Sequence, residues 1–524
     1  MGPREHARVN SALVSAVTRT LRRMGDPIVV GLVALAVYAV HGDQGPLGRD
    51  LGVFTYGGEH VAQGVPPYVG IFNSVGPLAD AIPGAAIWVG GLFHADPVVV
   101  ARLAFLLISA ACCALVGVLA REVFRSRLAG FLAPAAFLTF LRFTELAFSG
   151  PREKTPMVLF VLVALVLLLR QRWLAAGVLG ALATLTWQPS LLVVVAAFVA
   201  AVLVSGLRGR QIRDSVVAFL AGGSIPAVLT CAYYLAHGAL TNAVDGFVVV
   251  NFYAHQPNAF SNPRFVWKLL YPDYQASLYA VLVGLVAVLA LAVRSATRLR
   301  RSRQDDPEPL DRPLVVIGAG GLAGTVWTLA VVNGGPDLFE LLPFAALGLT
   351  GLVLTVVTRL PRRAAVLAVV AVSVAGVAGA GIESVTTERD VLPQEQADIA
   401  AVLATQPSDA TVLSIDAPQV LALSGRSNPT PFQVFTRGED QFLQQHLPGG
   451  LTGYAAQVDA LHPTFVAVGG SRPGTWPDPM LAHDYWPIGR GTDWRWYIDR
   501  AVGREAAVDA RDANRAAMLG AAAS

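Results

Sequence analysis

The chain has 524 residues, 54% of them hydrophobic and only 14% charged, with a mean hydropathy of +0.54. A soluble globular domain cannot carry that balance without burying almost everything, so the composition excludes one and points to an integral membrane protein. The formal net charge of +3 excludes nucleic acid as a partner, and Cys112, Cys113 and Cys231 all fall inside apolar runs, where buried packing is the ordinary role and a disulfide framework is not.

Arg4, Arg8, Arg19, Arg22 and Arg23 precede the apolar run Pro27 to Val40, the charge order of a signal sequence. No small-x-small cleavage site comes directly after it, which makes the run an uncleaved first span with a cytoplasmic amino terminus. Further apolar segments recur near 77 to 94, 97 to 119, 128 to 148, 157 to 170, 173 to 187, 190 to 206, 214 to 236, 277 to 294, 313 to 332, 338 to 358 and 364 to 382. Arginine clusters such as Arg121, Arg125 and Arg127, or Arg359, Arg362 and Arg363, alternate with loops almost free of arginine and lysine. The rich loops stay in the cytoplasm. Asp50 then lies outside and the Arg121 cluster inside, so an odd number of crossings separates them. The weak segment 77 to 94, with Asp80 and Pro83, is assigned to a membrane-hugging helix on the outer face, which leaves about eleven spans and an outer carboxyl terminus.

From Glu383 the texture becomes that of a water-exposed α/β region: "QEQADIAAVLATQ" reads as a helix, and "ATVLSID", "PTFVAVG" and "WRWYID" as short strands between turns. The expected division is a polytopic α-helical module over 1–382 and a small extracytoplasmic α/β domain over 383–524. The Ala-rich end, "REAAVDARDANRAAMLGAAAS", reads as a frayed helix or a disordered tail.

No HExxH, Walker A loop, CxxC pair or GxSxG elbow is present, and "GAGGLAG" (318–324) reads as close helix packing inside a span. The ionisable residues gather in three outer loops. Asp50 and Glu59 lie in 42–76, Arg142, Glu145, Arg152, Glu153 and Lys154 in 142–156, and His255, Arg264 and Lys268 in 237–276. Polar groups near hydrocarbon are costly unless they pair, meet water or serve a substrate. Each also has a purely structural reading: Asp50 as the N-cap of a helix starting near Leu51, Glu59 and His60 on the wet face of an interfacial helix, Arg142 and Glu145 as an i, i+3 pair, Arg152 and Lys154 snorkelling to headgroups, and the 237–276 aromatics as an interfacial belt.

The stretches Asp50-Leu51-Gly52-Val53-Phe54, Gly64-Val65-Pro66-Pro67-Tyr68 and Gly76-Pro77-Leu78, with "ALSGRSNPTPF" near the carboxyl end, resemble those of the GT-C superfamily of membrane glycosyltransferases. The likeness is to the family 39 type, related to protein mannosyltransferases and aminoarabinose transferases. Where relatives often carry an acid after Pro-Tyr and a lysine before Pro-Leu, this chain has Gly70 and Asn73, then Val75.

The resemblance implies an inverting hexosyl- or pentosyltransferase in the cell membrane. It would move a sugar from a polyprenyl-phosphate donor to a hydroxyl of a cell-envelope glycan, lipid or protein acceptor at the outer face, in contact with membrane lipids. Asp50 is then the candidate general base. Glu145, Glu153 and Glu59 are candidates to orient the acceptor or hold an optional divalent cation such as Mg or Mn. Arg152, Lys154, Arg264, Lys268 and His255 are candidates for the donor phosphate. The rival classes are a lipid-linked glycan flippase or polymerase and a non-catalytic envelope assembly protein; a transporter would place its ionisable residues at the bilayer midplane, often with internal repeats.

Overall fold

Gly48 interrupts the chain just after the first apolar helix, and the short helix that begins at Arg49 sets the position of the site. The computed structural model describes residues 26–40, 42–253, 259–301, 310–386, 391–435, 438–470 and 476–523; the amino-terminal arginines and His255 lie outside them. Helix α1 (Asp26–Val40) leads to two short neighbours, α2 (Arg49–Ala62) and α3 (Leu78–Gly91). A helical body comes next: α4 (Pro97–Phe124), α5 (Ala129–Leu138), α6 (Leu141–Leu146), α7 (Lys154–Leu169), α8 (Trp173–Thr186), α9 (Ser190–Val204), α10 (Arg210–Ala236), α11 (Leu240–Phe247), α12 (Pro263–Tyr274), α13 (Ala276–Arg301), α14 (Asp311–Ala330), α15 (Leu342–Val357) and α16 (Arg362–Thr386).

Among the described residues five helices, α4, α10, α13, α14 and α16, are long and apolar enough to cross a membrane. The apolar helices α1, α7, α8, α9 and α15 are shorter, below the usual spanning length of about 20 residues. On α10 and α16 most apolar side chains face outward, as lipid-facing surfaces do. Asp26 at the start of α1 pairs with Arg121 (3.2 Å) and Arg127 (2.6 Å) at and beyond the end of α4. The start of α1 and the end of α4 therefore share one end of the body, and α2 and α3, which connect them, gather at the other. The "GAGGLAG" run lies within α14, where Gly320 meets Val193 and Ala197 of α9, the close packing its composition predicts.

The expected single helix over 128 to 148 is broken. Pro134 lies inside α5 and Phe140 takes an extended conformation, so α6 starts afresh and carries Arg142 and Glu145 into the site.

The carboxyl-terminal region comprises α17 (Leu392–Leu403), β1 (Val412–Ile415), α18 (Pro418–Ser424), α19 (Glu439–His446), α20 (Gly450–Leu461), β2 (Phe465–Gly469), α21 (Pro477–Asp484), β3 (Tyr485–Arg490), β4 (Trp494–Asp499) and α22 (Arg504–Ala523). The sheet order is β1-β2-β4-β3, with β1 and β2 parallel and the other pairs antiparallel. Side chains alternate along β4 as strand geometry requires: Trp494, Trp496 and Ile498 enter a core shared with Leu51, Phe54 and Tyr56 of α2, while Arg495 and Tyr497 face the other way. Helix α2 therefore belongs to a continuous core with the sheet. In place of the expected frayed or disordered tail, α22 is a docked helix. Ala507, Ala510 and Asn514 form its buried stripe, and Asn514 Nδ2 donates to Asp398 Oδ1 at 2.5 Å.

Candidate active site

The first turn of α2 carries the centre of the site. The residue preceding the helix is Gly48, and no side chain caps it, so Asp50 is not the N-cap; its carboxylate is turned to cations instead. Arg49 Nη2 and Nε donate to Asp50 Oδ1 at 2.8 and 3.1 Å, and Arg152 Nη1 lies 3.8 Å from Oδ2. Half of the Asp50 side-chain surface is open, and it opens onto cavities on either side. Burial pushes its carboxyl up; the pull of Arg49, Arg152 and Lys154 outweighs that and holds it well below the ordinary carboxylate range.

Two cavities meet at this residue. A polar one of about 1280 Å³ runs from Arg49 and Asp50 past Arg142, Glu145 and Arg152 to the sheet. A groove of about 990 Å³ runs the other way, walled by Phe54, Trp187, Leu191, Leu192, Phe252 and Trp327. Leu191, Leu192 and Phe252 are exposed, so this groove continues onto the apolar flank of the helical body. Arg49 and Asp50 line both cavities.

The cations divide between them. Arg152 lines the polar cavity and Lys154 the groove. Lys154 is half-buried, with Nζ at 2.5 Å from Glu153 Oε1, 3.0 Å from Asp337 Oδ1 and 5.2 Å from the Trp187 ring centroid. Neither cation snorkels outward: both side chains are nearly enclosed. Arg142 and Glu145 do form the i, i+3 pair, at 3.2 Å, and Arg142 also reaches Asp273 at 3.5 Å. Burial raises the Glu145 carboxyl, against the pull of Arg142.

Other sequence candidates fall elsewhere. Glu59 lines neither cavity. The interfacial-helix reading of its surroundings fails too, because Leu51 through Gly58 are all buried. Arg264 and Lys268 are exposed on α12, whose buried stripe is Val266, Leu270 and Tyr274; helix periodicity turns the two cations away from the site. His255 lies outside the described residues.

Sequence reasoning passed over Arg49, Trp187, Asp337 and Glu439 at the groove, and Asp416, Trp476, Arg495 and Tyr497 at the polar cavity. Arg49 stands beside Asp50 and was legible as its partner. The sheet residues carried no signal beyond strand alternation. Asp50, Glu145 and Glu153 are each paired with arginine or lysine. Among the described residues no three His, Cys, Asp or Glu side chains converge.

An acid on a short helix after the first apolar segment stands at the meeting of a groove in a helical body and a cavity beneath a small sheet, and the chain as a whole has a fold found among solved structures. It is a multi-pass, predominantly helical membrane architecture. Two crystal structures of ArnT from Cupriavidus metallidurans share it. The apo form superposes with a TM-score of 0.60 and the form bound to undecaprenyl phosphate with 0.58, each at 14% identity over 91% of this chain and 98% of theirs. No protein-family model matches the sequence, and no curated protein does.

Proposed function

We propose that the chain is a glycosyltransferase that moves a sugar from a polyprenyl-phosphate donor to an acceptor hydroxyl at the outer face of the cell membrane, with inversion and with Asp50 as base. The observation that carries this reading is that Asp50 is shared by an apolar groove and a polar cavity. The ArnT structure bound to undecaprenyl phosphate supports a polyprenyl-linked donor, and the loop arginine pattern supports the outer face.

The prenyl tail lies in the groove and its phosphate at the Arg49 and Lys154 end. The acceptor hydroxyl arrives from the polar cavity. Its oxygen forms a bond to the anomeric carbon from the side opposite the phosphate, the bond from that carbon to the phosphate oxygen breaks, and the electron pair leaves on the phosphate. The hydroxyl proton passes to Asp50, while Arg49 and Lys154 stabilise the charge gathering on the leaving group.

Because Arg49 holds the Asp50 carboxylate, a free site keeps it ionised and weakly basic. A bound phosphate competes for Arg49 and so raises the basicity of Asp50 when the donor is in place. Glu145, paired with Arg142 on the cavity wall, orients the acceptor. Glu153 and Asp337 hold Lys154 in position. The helical module over 1–382 supplies the donor side and the region over 383–524 the acceptor side.

Asp50→Asn protein that still binds undecaprenyl phosphate, assayed with a radiolabelled polyprenyl-phosphate sugar in membranes, is expected to lose transfer by at least about a hundredfold, the scale of a lost general base. Retained activity overturns the assignment.

A further inference from the structure

The far wall of the polar cavity is one face of the sheet. Ile415, Val468 and Arg495 sit in register across β1, β2 and β4. Arg495 and Tyr497 project to this side while their neighbours on β4 enter the core. Asp416 and Gly470 stand just past the carboxyl ends of the two parallel strands and line the same cavity, the position where open α/β sheets bind ligands. We infer that this wall is the acceptor site and that the acceptor is a carbohydrate chain. The inference rests on the transfer reading above and deepens it.

Five observations select that chemistry. Trp476 is held by Phe435 and Tyr454, at centroid distances of 5.0 and 5.1 Å, yet lines the cavity and is only half-buried; with Tyr497 it offers aromatic faces on which the apolar side of a sugar ring packs. Asp416, Asp440, Asp478 and Asp493 share the wall with Arg495. With Asp50 and Glu145 added on one side and Arg49, Arg142 and Arg152 on the other, carboxylates still outnumber guanidiniums in the lining; the balance disfavours a phosphate-rich or carboxylate-rich acceptor, whereas hydroxyls donate to carboxylates and accept from a guanidinium alike. At the Asp50 end, Arg152 is more than nine-tenths buried and its Nε has no hydrogen-bond partner among the described residues, so a donor group there still awaits an acceptor oxygen.

The fourth observation concerns a peptide. It would bind best by adding a strand, but the free edge of β1 is covered: Ser414 N donates to Asn428 Oδ1 and Asp416 N to the Gln433 carbonyl, both at 2.7 Å. The cavity volume of about 1280 Å³ also exceeds the roughly 300–1,000 Å³ of an ordinary small-molecule site, which suits several sugar units.

The test is fluorescence polarisation with full-length protein in nanodiscs. The probes are fluorescein-labelled linear hexasaccharides of mannose, galactose, arabinose and glucose, a Ser/Thr-rich peptide and a glycerol-phosphate oligomer. At least one neutral hexasaccharide is expected to bind. Tyr497→Ala and the exposed changes Asp478→Ala and Arg495→Ala are each expected to weaken it about tenfold, one lost contact's worth, while undecaprenyl phosphate binds all variants as it binds the wild type. Binding of no hexasaccharide, or of one equally by every variant, overturns the inference, as does exclusive capture of the peptide or the phosphate oligomer. If a hexasaccharide binds in the variant-sensitive way but undecaprenyl phosphate does not bind, the sheet site stands and the donor reading falls.

Discussion

Asp50 and Glu59 stand on the same helix, yet their surroundings drive their carboxyls in opposite directions. Asp50 is held down mainly by guanidinium groups, whereas among the described residues no cation offsets the burial of Glu59: burial, aided by Asp96, pushes its carboxyl up to about 8. A carboxyl raised in the folded state binds more protons there than when unfolded. Its contribution to stability is therefore complete below the unfolded value near 4.5 and is lost as pH climbs through about 8. Glu59→Gln removes the titration. The wild-type Tm in detergent is expected to fall between pH 5 and pH 8.5 by more than the variant's does, the partial exposure of Glu59 keeping the difference small. Parallel Tm curves for the two proteins show that this acid is not the cause.

Helix α2 is the element on which chemistry and fold meet, and the glycine two residues beyond Asp50 explains how. A Cβ on Gly52 would stand 2.5 Å from the backbone N of Gln419, so only hydrogen allows α2 to touch the start of α18. The same docking is fastened by Tyr56, whose hydroxyl accepts from Asn428 N at 2.8 Å. The Asp-x-Gly pattern thus joins the proposed base to the contact that aims it. Gly52→Ala is expected to cost about 1–3 kcal/mol through overpacking and to lower transfer activity further than the stability loss explains, because the first turn of α2 shifts with it. The checks are a denaturation midpoint and a transfer assay on protein confirmed folded. An alanine variant with wild-type values in both would show that the two helices separate without consequence. The apolar segments, the acid and its glycine were legible in the sequence because hydropathy and local spacing encode them. The break at Phe140 and the docking of α22 were not: the first depends on where α6 must place Arg142, and the second on partners, Asp398 and β3, far away in the chain.

At the scale of the whole molecule, charge distribution and cavity geometry make one joint demand. The pairing of Asp26 with Arg121 and Arg127 gathers the cationic loop and the start of α1 at one end of the body, while Asp50, both cavities and the sheet gather at the other. Sequence could separate those ends by arginine count alone; it could not show that the sheet closes over the acid, since residues from 416 to 497 meet residues 49 to 152 only in three dimensions. If arginine-rich loops stay in the cytoplasm, every group in the proposed reaction faces outward. Single cysteines test this in a Cys231→Ser background, where Cys112 and Cys113 are buried and expected to stay silent. Asp478→Cys, on the sheet wall, is expected to react with a membrane-impermeant maleimide in intact cells, and Arg125→Cys only after permeabilisation, both positions being exposed. The opposite pattern would put Asp50 and its polar cavity in the cytosol, where an acceptor of the cell envelope never arrives, and the apolar groove would then have to serve a lipid in the inner leaflet.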